Sequence, residues 1–471
     1  MYLSFKEKFE IIIYFFLKFI LNKIFMRQGG VLPAHLLKIL DRNIFDDLSR
    51  DVTSGNTHII IVTGTNGKTT ASNLIAEGLK ASGETVCANL NGANMPNGIF
   101  GAIMGGYGLN FRFNSKFLVA ETDEKIFPYI VSRLKPEVIV VTNLYRDQLD
   151  RYGEVNTTVT EIKNAVKALR YNPFFVLPSY EPLASSIGYG LNNHALYYGF
   201  IENASQEQAA ARPAKGAWNS SPLVPADAMA CPNCGNILEY TGSAGNIFLL
   251  KFRCGKCGFQ NPSPRISAGS APGGYKTISD GDTGKSLSFK PSVEGDYNMA
   301  NYLAAYAVLS KFNVPEAAIG NSFENFRTRY GRSYKGSYRG MEINVDLVKN
   351  PSGFDRVLEK IAGSGLKSVD ALFAFSDRDA DGRDVSWIWD VNFEPFVKIF
   401  GNIVITGLRP FDMAVRLKTA GIGKEKITVE HDMKKSLKYI AGIHERKKEE
   451  RGNVFVLSTY TELANLRRYI S

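Results

Sequence analysis

From residue 58 onward, short apolar runs alternate with helical stretches. Residues 59–62 (IIIV) run into TGTNGKTT and a helical ASNLIAEGLKASG, 117–120 (FLVA) into ETDE, and 138–142 (VIVVT) into NLYRDQLDRYGE. Strands that are apolar at every position, rather than at alternate ones, are buried on both faces, which predicts a parallel sheet covered by helices. Ligands of such sheets bind at the carboxyl ends of the strands, where the polar clusters of this chain lie. Helical periodicity returns over 298–312, and a second strand set follows at 371–375, 403–406, 426–430 and 454–457. Between about 202 and 285 the composition shifts to Ala, Ser, Pro and Gly, which reads as a loop-rich insertion enclosing a small Cys-containing unit. The predicted organisation is α/β throughout: an apolar helix and linker (1–50), a nucleotide-binding domain (51–335, insertion 225–262) and a Rossmann-like α/β domain (336–471).

The N-terminal pattern is different. Residues 11–26, IIIYFFLKFILNKIFM, are apolar except for Lys18, Asn22 and Lys23. A spanning helix needs about 20 predominantly apolar residues; this run is shorter, and no small-residue cleavage site follows it. A helix packed on the body of the protein is the first expectation. An interfacial helix with its lysines at lipid headgroups, and a true anchor, are the alternatives.

Length and charge add bounds. The 471 residues correspond to about three domains at roughly 150 residues each. Fifty-six basic against 46 acidic residues give +10, which suits phosphate-rich substrates, nucleic acid or an acidic membrane without choosing among them. The basic residues are dispersed and no aromatic-plus-basic platform is evident, so no nucleic-acid partner is expected. Five cysteines are too few for a disulfide-stapled scaffold of this length. Cys231 and Cys234 form CPNCG, Cys254 and Cys257 form CGKCG, and 19 residues separate the pairs. Two such knuckles predict a closed, structural zinc ribbon with four cysteine ligands. Cys87, in the strand-like TVCANL, is expected in the core.

TGTNGKTT (63–70) follows a predicted strand and opens a helix. In a loop of this kind glycines let the backbone wrap a phosphate, Lys68 supplies charge to the terminal phosphates and Thr69 ligates Mg²⁺. The general GxxxxGK[ST] pattern would place its first Gly at Val62, so this loop is a variant. Glu121, Asp123 and Glu124 follow the second strand, and a carboxylate there would hold the metal; Asn143 and Asp147 follow the third. A solvated loop or a helix cap is the alternative for Asp123 and Asp147. SDRDADGRDVSWIWD (376–390) carries five Asp, either a metal or catalytic carboxylate cluster or a solvated turn; EF-hand calcium spacing does not line up.

TGTNGKTT, NGANMPNG (91–98), TNLYRDQLDRYG (142–153), GDYNMANYLAAYAVL (295–309) and the Gly331-Arg332 pair together resemble the Mur ligase superfamily, whose members form amide bonds by activating a carboxylate with ATP. The ribbon insertion and DGRDVSWIWD are similar to its branch of ligase-like subunits of lipid II isoglutaminyl synthase, and the resemblance covers the chain from about residue 26. It implies a cytoplasmic enzyme at the inner face of the membrane. ATP and Mg²⁺ would be its cofactors, Zn²⁺ its structural ion, lipid II its substrate and a GatD-type glutaminase its ammonia-supplying partner. The reaction implied is amidation of the stem-peptide D-glutamate α-carboxylate through an acyl phosphate. Carried over, Gly64, Thr65, Asn66, Gly67, Lys68, Thr69 and Thr70 cradle phosphates and Glu121 binds Mg²⁺. Asn298 and Asn301 meet adenine, Arg332 reaches the nucleotide, and Asp384 orients the glutaminase histidine in trans. Two departures stand out. Asp147-Gln148 replaces the Asp-His of many Mur ligases, and VDLVKNPSG (345–353) replaces a Tyr- and His-containing motif of amino-acid-adding members. A stand-alone Mur or folylpolyglutamate-type ligase that adds an amino acid is the second enzyme reading.

Overall fold

The computed structural model describes residues 3–25, 31–89, 92–108, 110–147, 154–191, 194–201, 226–241, 247–270, 272–327, 333–366, 368–379, 381–446 and 454–470. The chain divides into two compact units, 1–144 with 156–328, and 145–155 with 329–471.

The first unit opens with three helices, α1 (Phe5–Phe25), α2 (Val31–Leu40) and α3 (Ile44–Ser54). α1 packs on the unit through Ile11 and Tyr14, both buried, with the Tyr14 hydroxyl donating to Gly101 O at 2.9 Å. No helix among the described residues is long and apolar enough to cross a membrane.

Six strands follow in chain order: β1 (His58–Thr63), β2 (Val86–Ala88), β3 (Phe117–Glu121), β4 (Val138–Val141), β5 (Phe174–Pro178) and β6 (Ala195–Phe200). β7 (Glu239–Thr241) and β8 (Lys251–Arg253) form a separate antiparallel hairpin in the insertion. β9 (Ile266–Ser270), β10 (Lys276–Asp280) and β11 (Ser286–Phe289) return to the main sheet, which has nine strands ordered β11-β10-β9-β6-β5-β4-β1-β3-β2. Pairing is parallel from β2 to β9 and antiparallel at β9–β10–β11. The continuous apolar runs at 59–62, 117–120 and 138–141 are buried throughout, as strands covered on both faces must be.

Part of the stretch expected to be loop-rich is sheet instead. β9 and β10 fall inside it, because small residues flanking Ile266 and Ile278, both fully buried, are enough for an antiparallel extension with one covered face. A bidentate pair of Arg265 with Asp280 (2.9 and 3.0 Å) closes that hairpin and holds the Asp280 carboxyl down at about 2 against the cost of its burial.

Among the described residues, the remaining helices of this unit are α4 (Lys68–Ala81), α5 (Pro96–Gly106), α6 (Phe127–Leu134), α7 (Val155–Lys167), α8 (Pro182–Ser185), α9 (Asp296–Lys311) and α10 (Glu316–Glu324). α4 and α9 pack side by side. Tyr302, Leu303, Tyr306 and Leu309 of α9 are fully buried in the resulting core with Leu74, Ile75 and Leu79 of α4.

The second unit is a six-stranded sheet of β12 (Ser333–Tyr338), β13 (Met341–Leu347), β14 (Val369–Phe375), β15 (Phe400–Gly407), β16 (Ile427–Val429) and β17 (Val454–Ser458), ordered β12-β13-β17-β14-β15-β16. Only β12 is antiparallel. The four apolar runs read from the sequence are its central and edge parallel strands. Separate apolar clusters lie on its two faces, one around Phe354, Phe373 and Phe393 and the other around Leu437, Val456 and Leu466.

The NP of VDLVKNPSG starts a helix, α11 (Pro351–Gly363). Asn350, buried, accepts from Gly353 N at 2.8 Å, and Pro351 occupies the first helical position. Asn350→Ala is therefore expected to destabilise the second unit by about 1 kcal/mol, with Asn350→Asp close to wild type, read from urea unfolding of the full chain. Equal midpoints for the alanine variant and wild type would remove this capping role.

Candidate active site and metal centre

The phosphate loop joins β1 to α4. Gly64 and Gly67 have φ of 123° and 86°, a region that side chains avoid. A Cβ on Gly64 would run into Thr142 Oγ1 and the backbone carbonyl of Asn143, and one on Gly67 would push against the end of the Asn301 side chain. The loop is pinned by the end of β4. Thr65 N donates to Asn143 O (2.9 Å), Asn66 N donates to Asn143 Oδ1 (2.9 Å), and Asn143 Nδ2 and Thr142 Oγ1 both donate to Asn66 O (2.9 and 2.6 Å). The first helical bond of α4 runs from Ala71 N to Gly67 O (2.9 Å), so the N–H groups of Lys68, Thr69 and Thr70 precede the ladder. That is the helix N-terminus at which phosphates bind.

The Lys68 ammonium, buried, is held by the carbonyls of Gly64 and Thr65 (the latter at 3.2 Å) and by Glu124 Oε2 at 3.1 Å. Thr69 Oγ1 lies 3.1 Å from Glu121 Oε1. Glu121 is 1% exposed and rigidly placed: Asn89 accepts from its N–H and donates to its carbonyl, both at 2.7 Å, while Asn94 Nδ2 reaches Oε1 at 3.4 Å. A hydroxyl and a carboxylate at this separation fit a cation of Mg²⁺ type, whose octahedron has an edge of about 2.9 Å. Asp123, buried, accepts from Lys125 N (3.1 Å).

Among the sequence-derived candidates, Gly64 to Thr70, Glu121 and Asn301 come together, and Asn298 lies one turn before Asn301, its Nδ2 donating to Glu294 O at 2.8 Å. Arg332 lies outside the described residues. Asp147 belongs to the second unit, where it pairs with Lys349 at 2.6 Å. Sequence reasoning missed Glu181. Fully buried, it accepts from Leu144 N (3.1 Å), Leu183 N and Ala184 N, which fixes the chain immediately after Asn143, and burial pushes its carboxyl up to about 7. Its one signal in the sequence is an acid placed directly before a proline, shortly after a strand.

The four cysteines converge. Their sulfurs lie within 4.8 Å of one another, with Cys231–Cys257 at 3.6 Å and Cys234–Cys254 at 3.5 Å. A tetrahedral Zn²⁺ with bonds of about 2.3 Å needs sulfurs about 3.8 Å apart, so the set fits. The two knuckles repeat one hydrogen-bond scheme: Gly235 N to Cys231 O (2.8 Å) and Cys231 N to Asn236 O (2.7 Å), then Gly258 N to Cys254 O (3.0 Å) and Cys254 N to Phe259 O (2.7 Å). The backbone N–H of Cys257 favours the Cys254 thiolate. Leu238, Phe252 and Phe259 form a small core beneath. The ribbon is moored by Asn261 Nδ2 to Ser179 O (3.1 Å) and by Lys163 of α7 to Asn233 Oδ1 (3.0 Å).

In the second unit the five aspartates disperse rather than converge. Asp377 pairs with Arg409 (3.1 Å), Asp379 with Arg383 (3.0 Å) and Asp390 with Arg146 (3.1 Å), while Asp381 accepts from Thr461 N (2.9 Å). Asp384, half-buried, accepts from Ser386 N at 2.8 Å, at the start of a single 3-10 turn (Ser386–Asp390) whose Trp387 and Ile388 are buried. The metal-cluster reading of this segment is thereby replaced: among the described residues, the four cysteines are the one group of three or more His, Cys, Asp or Glu side chains close enough to share an ion. Cys87 is buried as expected, and burial pushes its thiol up to about 12.

The family described as Mur ligase middle domain matches residues 62–221, and that described as MurT ligase C-terminal matches 347–463. A Staphylococcus aureus protein named lipid II isoglutaminyl synthase (glutamine-hydrolyzing) subunit MurT is 30% identical over 93% of this chain and 92% of its own length. The Streptococcus pneumoniae protein of the same name is 27% identical over 96% and 94%. Among solved structures, a pseudomurein peptide ligase type C from Methanothermus fervidus shares the fold with a TM-score of 0.65 at 18% identity, over 89% of this chain and 80% of that one. The P-loop unit with its cysteine ribbon, the second α/β unit and the near full-length match together establish that the chain belongs to the MurT family of Mur ligase-like enzymes.

Proposed function

We propose that this chain is the ligase subunit of a lipid II isoglutaminyl synthase, amidating the α-carboxylate of the stem-peptide D-glutamate with ammonia delivered by a GatD-type glutaminase. The observation that carries the reading is the near full-length correspondence with two MurT subunits, which spans the phosphate loop and the C-terminal unit alike. The loop alone would support any ATPase.

A carboxylate resists nucleophiles, so it must gain a leaving group. Bound MgATP supplies one: the substrate carboxylate takes the terminal phosphoryl group as ADP departs, and ammonia then displaces phosphate from the acyl carbon with loss of a proton. The chain's part is to bind and orient. The N–H groups at the start of α4 and the Lys68 ammonium meet phosphate oxygens, Thr69 and Glu121 hold Mg²⁺, and Asn298 and Asn301 face the nucleotide. Arg332 has its nucleotide role from the family resemblance alone. Zn²⁺ on Cys231, Cys234, Cys254 and Cys257 would be structural, since four protein thiolates leave no open position.

Glutamine hydrolysis needs a reactive thiolate. All five cysteines are engaged otherwise, four in the cluster and Cys87 buried with a raised pKa, which supports a nucleophile on a second polypeptide. Asp384 would orient that subunit's histidine.

Lys68→Ala is expected to lower amidation by at least about a hundredfold, even with ammonium supplied in place of glutamine, as read by mass spectrometry of the stem peptide. Asp384→Ala should abolish glutamine-dependent amidation while ammonium restores it; unchanged glutamine use would remove the trans role. Addition of an amino acid mass, instead of the carboxyl-to-amide shift, would favour the stand-alone ligase reading. Purified protein should carry one Zn²⁺ per chain by elemental analysis, and Cys254→Ser should lose it and lower the thermal midpoint. A metal-free chain of unchanged stability would refute the structural ion.

A further inference from the structure

α1 has two apolar faces, and the fold buries one of them. Ile11 and Tyr14 turn inward, and the Lys6 ammonium reaches back to Asp41 at 2.5 Å. On the other side Phe5, Phe9, Ile12, Phe16 and Phe19 are 87%, 54%, 52%, 62% and 57% exposed. Their spacing of 4, 3, 4 and 3 residues places them in one stripe along 15 residues of helix, about 20 Å long at 1.5 Å per residue. A row of four phenylalanines and an isoleucine, each more than half exposed, is far outside the scatter of single exposed apolar residues and marks an interaction surface.

The surroundings of the stripe select its occupant. α1 carries four lysines (Lys6, Lys8, Lys18 and Lys23) against Glu7 and Glu10, net +2, and Glu10 is buried. A stripe with this spacing is also what a two-stranded coiled coil uses, but such a seam is bordered by paired opposite charges. Here the bordering positions are Lys6 and Lys8 at one end and Ile13, Phe15 and Ile20 further along, so a second copy would meet like charge and a broadened apolar arc. The one unburied acid, Glu7, accepts from Ser4 N at the start of the helix. Aromatic residues on one face with lysines beside them match an anionic lipid surface.

We propose that α1 lies in the plane of an anionic membrane, its Phe5–Phe19 stripe inserted at the acyl boundary and Lys8 beside it at the headgroups, docking the first unit on the bilayer without spanning it. This goes beyond the amidation reading and does not depend on it, because vesicle binding is measured without turnover. The full chain is expected to float with vesicles of phosphatidylglycerol mixed with phosphatidylcholine, and to be released by raised salt or by replacing phosphatidylglycerol with phosphatidylcholine. Phe9→Gln with Phe16→Gln should reduce the bound fraction at limiting lipid by about tenfold or more. Both side chains are largely exposed, so the circular dichroism spectrum, the thermal midpoint and ATP binding should match wild type. Equal binding of wild type and double variant would overturn the proposal. So would a wild-type chain that ignores vesicles but runs as a dimer that the double variant converts to monomer, since the stripe would then be an interface between copies.

Discussion

The first unit's chemistry depends on how its phosphate loop is held open. A loop that turns N–H groups toward an anion has to satisfy its remaining backbone groups inside the protein, or pay for burying them unpaired. Asn143, with Thr142, meets that requirement: its carbonyl and side-chain oxygens accept from the N–H groups of Thr65 and Asn66, and its amide donates to Asn66 O beside the Thr142 hydroxyl. The strand that supplies Asn143, β4, is the direct neighbour of β1, which feeds the loop. The two strand ends are therefore locked in register by the same interaction that shapes the site. Glu181, by holding Leu144 N from behind, fixes the pin itself.

From that frame the charges follow. Lys68 and Thr69 are the first residues of α4, and their neighbours across the sheet edge are Glu124 and Glu121 respectively. A buried ammonium needs a counter-charge, and Glu124 provides it from the loop after β3. Glu121 is the last residue of that strand, with its backbone clamped by Asn89 from the end of β2. Three neighbouring strands, β1, β3 and β2, thus bring a cation, a carboxylate and an amide clamp to one edge of the sheet.

Much of this was legible in the sequence, for identifiable reasons. Parallel strands buried on both faces write themselves as unbroken apolar runs, so β1, β3, β4, β14, β15 and β17 could be read directly. Cysteine pairs at ribbon spacing have one common use, and the sulfurs meet as that use requires. The antiparallel strands β9 and β10 were not legible, because each needs only one or two large side chains to cover a face and otherwise carries Ser, Gly and Thr, the composition of loops. The aspartate-rich segment misled in the opposite direction. Composition shows how many carboxylates are present, whereas their fate depends on partners far away in sequence: Arg409 for Asp377, Thr461 N for Asp381, Arg146 for Asp390. Asn143 was visible as a polar residue after a strand, but whether it faces a metal or the neighbouring loop depends on pairing register, which periodicity does not carry.

The cysteines show how a structural requirement constrains chemistry elsewhere. A thiol serves as a nucleophile when it is accessible and its pKa is lowered by neighbouring positive charge or a helix N-terminus. Cys87 meets neither condition: burial raises it to about 12, and its Sγ lies 2.7 Å from Ala102 O. The other four are drawn together by the two knuckles and the apolar residues beneath them, so freeing one would dismantle the ribbon. In a chain built this way the cysteines outside the core are committed to the cluster. Under the proposed reaction, its share of nitrogen delivery is therefore limited to what a carboxylate can do. Asp384 suits that share, because a backbone N–H holds it at the head of a turn anchored by Trp387 and Ile388, and its carboxylate stays half-exposed.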